Sequence, residues 1–153
     1  MWLNKKRFFI IAIILVIAAV GGLVAFRANQ AQAQAEPPMI SARISEGMLE
    51  SQYGMHVNLV AVTGAGGFVD VRIKIVDGEK AKLLLGDAKN FPALLTGKDI
   101  VLDAPADTKS QEIRYEDGGT MFIMYPNSGN AVKHGEPVSI LFGDVALDAI
   151  NAQ

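Results

Sequence analysis

The chain has no cysteine among its 153 residues. That removes disulfides, thiol catalysis and thiolate metal sites together, and leaves the fold to burial and hydrogen bonding alone. A lipoprotein is excluded for the same reason, since there is no thiol to acylate. Histidine is almost as scarce: His56 and His134 are the two imidazoles that could act as a base for a nucleophile. No G-x-S-x-G elbow presents a serine at a strand–helix turn, and no D-x-D-x-D-G loop gathers carboxylates for calcium. The acidic pairs Glu116-Asp117 and Asp99 with Asp103 read as solvated turn and strand-face charges. These absences point away from an enzyme.

Charge is also missing from Phe8 to Phe26, a run that is apolar on every face and so does not suit a soluble amphipathic helix. As an α-helix it would be about 28 Å long, close to the roughly 30 Å of a bilayer's hydrocarbon core. Lys5, Lys6 and Arg7 precede it and only Arg27 closely follows, so the positive-inside bias predicts a cytoplasmic N-terminus over 1–7, a transmembrane helix over 8–26 and everything later outside the cytoplasm. Gly21 and Gly22 are ordinary in membrane helices, with a helix-dimer contact as the other use. The competing reading is a cleaved signal peptide, for which Ala31, Ala33 and Ala35 offer small residues. Against it stand the length of the apolar run and the positive Arg27 beyond it. Both readings export the same domain.

Four of the fourteen basic residues (Lys5, Lys6, Arg7, Arg27) flank that run, which leaves ten against sixteen acidic residues, a net charge of about −6 on the exported part. That sign disfavours nucleic acid and anionic lipid as partners. Residues 27–44, rich in alanine and glutamine until Pro37-Pro38, read as a stalk, and 45–153 as one extracytoplasmic domain.

Within that domain Ser45 is placed to cap a short helix that leaves through Gly54, and Asp77 to cap a second, Gly78 to Leu85, ended by Gly86. Between them the period changes to two. Val57, Leu59 and Ala61, then Val69, Val71, Ile73 and Ile75 against Asp70, Arg72 and Lys74, alternate as half-buried strands do. Gly64-Ala65-Gly66-Gly67 between the two runs suggests a hairpin rather than a phosphate loop, because a strand and not a helix follows it. Phe91–Leu95 and Asp99–Leu102 read as a small hairpin. Ala104 to Glu116 reads as an exposed loop or an edge strand near Gln111–Tyr115. Thr120 to Tyr125 is apolar enough to suggest burial on both faces, and Val138, Ile140 and Phe142 lead through Gly143-Asp144 to Val145, Leu147 and Ala149 as a bent strand or final hairpin.

Six or seven short strands with glycine-rich turns and two short helices predict a mainly β domain, an antiparallel immunoglobulin-like β-sandwich, with a small β-barrel as the alternative. The stretch Val60-Ala61-Val62-Thr63-Gly64-Ala65-Gly66-Gly67-Phe68-Val69-Asp70-Val71-Arg72, followed by Tyr125-Pro126-Asn127-Ser128-Gly129-Asn130-Ala131-Val132 and Gly143-Asp144-Val145, resembles an uncharacterised group of bacterial single-span membrane proteins with an exported β domain. The resemblance covers most of the exported part and implies a bacterial setting, but no activity and no functional residues.

One set of residues carries chemical content: Met55, His56, Met121, Met124 and His134 supply thioether and imidazole groups that suit copper(I). Met121 and Met124, three apart, point to opposite faces of a strand, and methionine filling a core gap is the other use of such residues. The sequence therefore leads to a non-catalytic interaction module of the cell envelope, held to the lipid bilayer by 8–26 and docking another envelope protein through edges and loops at Ala104 to Glu116 and Asn127 to Gly135. The alternative is an exported copper- or small-ligand-binding module.

Overall fold

The computed structural model describes residues 38–109 and 113–153. The N-terminus over 1–7, the membrane helix expected over 8–26 and the stalk as far as 37 lie outside the described residues. Among those described, no helix is long and apolar enough to cross a membrane.

The end of the expected stalk is a strand. Ala42–Ile44 (β1) runs parallel to Val145–Leu147 (β8), and Ser41 anchors it by donating its hydroxyl to the Asp144 carboxylate at 2.6 Å. Ser45 then caps helix α1, Glu46–Tyr53, accepting from the Met48 N–H, and Gly54 ends it in the left-handed region at φ 58°. Gly54 also ties two elements together, because its carbonyl accepts from the N–H groups of Val76 (2.7 Å) and Asp77 (3.0 Å). A Cβ on it would stand 2.5 Å from the Asp77 carbonyl oxygen, so a close approach and a positive φ both select glycine here.

Strands β2, Met55–Thr63, and β3, Phe68–Ile75, form the expected hairpin across Gly64–Gly66, and β3 pairs in turn with β6, Thr120–Pro126. Val69, Val71, Ile73 and Ile75 all face the core. At roughly 1.5–3 kcal/mol for each fully buried aliphatic side chain, this strand is a main source of stability. The alternation expected for β2 fails after Val57. Its Cα partners step from Val57–Ile73 to Leu59–Arg72, so Asn58 is an extra residue, a β-bulge. Past that bulge Val60 enters the core, and Leu59 and Ala61 turn to the opposite face.

Asp77 caps helix α2, Gly78–Leu85, by accepting from the Lys80 N–H. The second sheet follows: β4 (Ala93–Thr96), β5 (Val101–Leu102), β7 (Pro137–Phe142), β8 and β9 (Ile150–Asn151). Its order is β1-β8-β7-β4-β5, with β9 also on β7; the other sheet is β2-β3-β6. All pairings but β1–β8 are antiparallel. Neither sheet closes on itself, so the barrel alternative is set aside. A third helix, the single turn α3 at Ala106–Lys109, lies where the sequence suggested loop or edge strand, and Ile113–Glu116 is irregular.

The main core draws on both sheets and both longer helices, with Leu49 from α1, Val71 and Ile73 from β3, Leu84 from α2, Leu94 from β4 and Phe142 from β7. On the far side of the larger sheet its own residues Leu95, Leu141 and Ala146 form a smaller buried cluster with Ile40 packed against it, so β7 is buried on both faces. Among the described residues the outer face of the smaller sheet has no such cluster.

Candidate functional site

The uncovered face of β2-β3-β6 is a regular ladder. Its rows, read across the three strands, are Thr63–Phe68–Pro126, Ala61–Asp70–Met124, Leu59–Arg72–Phe122 and His56–Lys74–Thr120. The polar alternates of β3 place Asp70, Arg72 and Lys74 there, as the sequence pattern implies. The apolar content comes from their neighbours: Phe122 is 62 % exposed, Phe68 44 % and Met124 41 %. Thr120–Tyr125 is buried on one face only, not on both as its apolar run suggests. Ile123 and Tyr125 are buried, whereas Phe122 and Met124 face out, because no second layer of described residues packs on that side of the strand.

Charge is arranged within this face. Arg72 donates to Asp70 Oδ2 from Nε at 3.0 Å and from Nη2 at 2.7 Å, and its guanidinium carbon lies 5.5 Å from the centre of the Phe122 ring. The hydrogen bond to Asp70 pushes the Arg72 pKa up, and the guanidinium, charged as in any arginine, sits against a carboxylate and an aromatic face.

The free edge of β6 is the second feature. Ile75 donates to the Gly119 carbonyl and Asn127 to the Gly67 carbonyl, which sets the phase of the β3–β6 ladder. Met121, Ile123 and Tyr125 exchange bonds with β3. The N–H and C=O groups of Thr120, Phe122 and Met124 point the other way, where no other described residue bonds them. A cleft of about 300 Å³ flanks the first half of this edge, with Phe91, Thr108, Ile113 and Arg114 opposite Thr120–Ile123.

The five sequence candidates are distributed over both faces of the sheet and a distant loop. Met55 is fully buried at the start of β2, and Met121, paired with Ile73, is half-buried against the same core. His56 and Met124 lie on the opposite, outer face, two rows apart, with His56 Nδ1 3.4 Å from Glu50 Oε2. His134 is exposed in the loop before β7. The structure does not bring the five to one point, and among the described residues no group of three His, Asp or Glu side chains could hold a metal ion.

Sequence reasoning missed Phe68, Phe122 and the β6 edge. The one available signal was β3 itself: a strand with polar residues on one face implies that its neighbours on that face are also exposed. The chain matches no model of a protein family, no curated protein and no solved structure.

Proposed function

We propose that this chain is a non-catalytic interaction module: an exported, immunoglobulin-like β-sandwich held to a bacterial cell membrane by 8–26, which docks another polypeptide of the envelope through the β2-β3-β6 sheet. Two open sheets that share a core support the sandwich reading. The observation that carries the docking role is the combination at β6 of exposed Phe122 and Met124 with an edge to which no other described residue pairs. Monomeric proteins rarely leave such a strand open, since it is a template for pairing. The copper-binding alternative has no comparable support, because its residues diverge.

Thiol-directed crosslinking in intact membranes tests this reading, and the absence of native cysteine keeps the background clear. The full chain carrying Met124→Cys should give an adduct of defined mass, and the chain carrying Glu46→Cys on α1 should not. No adduct from Met124→Cys, or the same adduct from both positions, would overturn the proposal.

A further inference from the structure

Sheet edges in this fold are guarded, with one exception among the described residues. β5 and β9 are two residues long and β1 is three and carries Arg43. The β2 edge is bulged at Asn58, and Gln153 covers it by accepting from the Val62 N–H and donating to the Val60 carbonyl. Shortness, charge, bulges and cover are the means by which proteins keep edges from pairing. Among the described residues β6 has none of them: it is seven residues long, regular, without a charged side chain, and with its proline only at the last position.

Resting on the interaction reading above, we infer that the occupant of this edge is a second copy of the chain, with the two β6 strands antiparallel about a two-fold axis at Ile123. The axis stands perpendicular to the sheet, so the two β2-β3-β6 sheets become one six-stranded sheet with the same face outward. The phase of the ladder makes this possible, because Phe122 and Met124 of one copy present free N–H and C=O groups to Met124 and Phe122 of the other. Thr120 donates to the Pro126 carbonyl of the second copy, so the missing proline N–H removes only one bond at each end.

The side chains agree with that register. Each exposed Phe122 ring lies beside a Met124 thioether of the second copy, a favourable sulfur–aromatic contact. The row centred on Arg72 continues into the row of the second copy centred on Asp70, so a cationic row meets an anionic one. No like charges oppose each other at the junction, since β6 is uncharged.

Register-specific crosslinking of the detergent-solubilised full chain tests the inference. Directly opposed residues of such a pair have Cα atoms about 5.5 Å apart, within disulfide reach. Like residues at 122 lie roughly 8 Å apart, beyond it. A mixture of a Phe122→Cys chain with a Met124→Cys chain should therefore oxidise to a product of twice the chain mass, while either chain alone should not. Failure of the mixture to crosslink, or crosslinking of either chain alone to the same extent, overturns the pairing. If the mixture fails while Met124→Cys in membranes gives an adduct whose mass is not that of two copies, the second copy is excluded and the interaction reading stands. If neither experiment yields a product, both fall.

Discussion

The Tyr125 hydroxyl donates a hydrogen bond of 2.8 Å to the Pro92 carbonyl, joining the three-stranded sheet to the approach of β4 in the larger one. Tyr125 is fully buried on β6, so its phenol must find a partner inside the protein. Tyr125→Phe keeps the ring and leaves the Pro92 carbonyl without that donor. The expected loss is about 1–3 kcal/mol, measured as a lower midpoint in urea at unchanged slope. Stability equal to the original would mean that the bond does not couple the sheets.

The same phenol makes the fold sensitive to alkali. Burial, and then the nearby negative charge of Asp103, push its pKa well above the ordinary value of 10.0. A raised folded-state pKa means that the native state keeps the proton where the unfolded state releases it. The stability is therefore intact below pH of about 10 and declines as pH rises above that value. Melting temperatures measured across this range should fall for the native sequence and fall less for Tyr125→Phe; parallel curves would show that other groups control alkaline unfolding.

Asn127 holds the turn that follows β6. It is buried, donates through Nδ2 to the carbonyls of Gly66 (2.9 Å) and Val132 (2.8 Å), and accepts from the Val132 N–H at 3.0 Å. One side chain thus fastens the β2–β3 hairpin to the 127–132 loop. Asn127→Ala should cost about 2–3 kcal/mol, because three backbone groups around a buried side chain lose their partner. Amide hydrogen exchange supplies the local check, with faster exchange expected at Val132.

How much of this was legible in the sequence differs from element to element for physical reasons. The helices capped by Ser45 and Asp77, and the hairpin at Gly64–Gly67, are local features whose cause lies within a few residues, and the sequence showed them. The bulge at Asn58 was not legible, since its sign is a change of pairing partner and not of composition. Thr120–Tyr125 misled because an apolar side chain looks the same whether a second layer covers it or not. β7 is buried on both faces, with its Leu141 in the cluster of Leu95, Ala146 and Ile40 on one side and the main core on the other; β6 is buried on one. Strand order across the two sheets, which decides that difference, is a long-range property that period and turn chemistry do not encode.

Two substitutions on neighbouring rows of one strand pair test the assignment of faces. Ile73 is fully buried and Phe122 is mostly exposed. Ile73→Asp should bring a charge into the core and unfold the domain, a loss of about 4 kcal/mol or more. Phe122→Ser should shift stability by less than about 1 kcal/mol, the loss of its contact with Arg72 included. Circular dichroism melts of the two variants decide the matter, and an unchanged melting temperature for Ile73→Asp would show that the faces are reversed.

Copper(I) is the remaining comparison, because its candidate ligands were separated by the same pleat that made the outer face. Met55 and Met121 point into the core, His56 and Met124 point away from it, and His134 is in a loop on its own. A ligand that binds only the folded state must raise the melting temperature in proportion to the logarithm of its concentration once above its dissociation constant. Titrating the full chain in detergent with copper(I) held reduced should therefore leave the melting temperature unchanged. A saturable rise that His56→Ala or His134→Ala abolishes would require the strands to rearrange around the ion, since the pleat as it stands keeps Met55 and Met121 on one side of β2-β3-β6 and His56 and Met124 on the other.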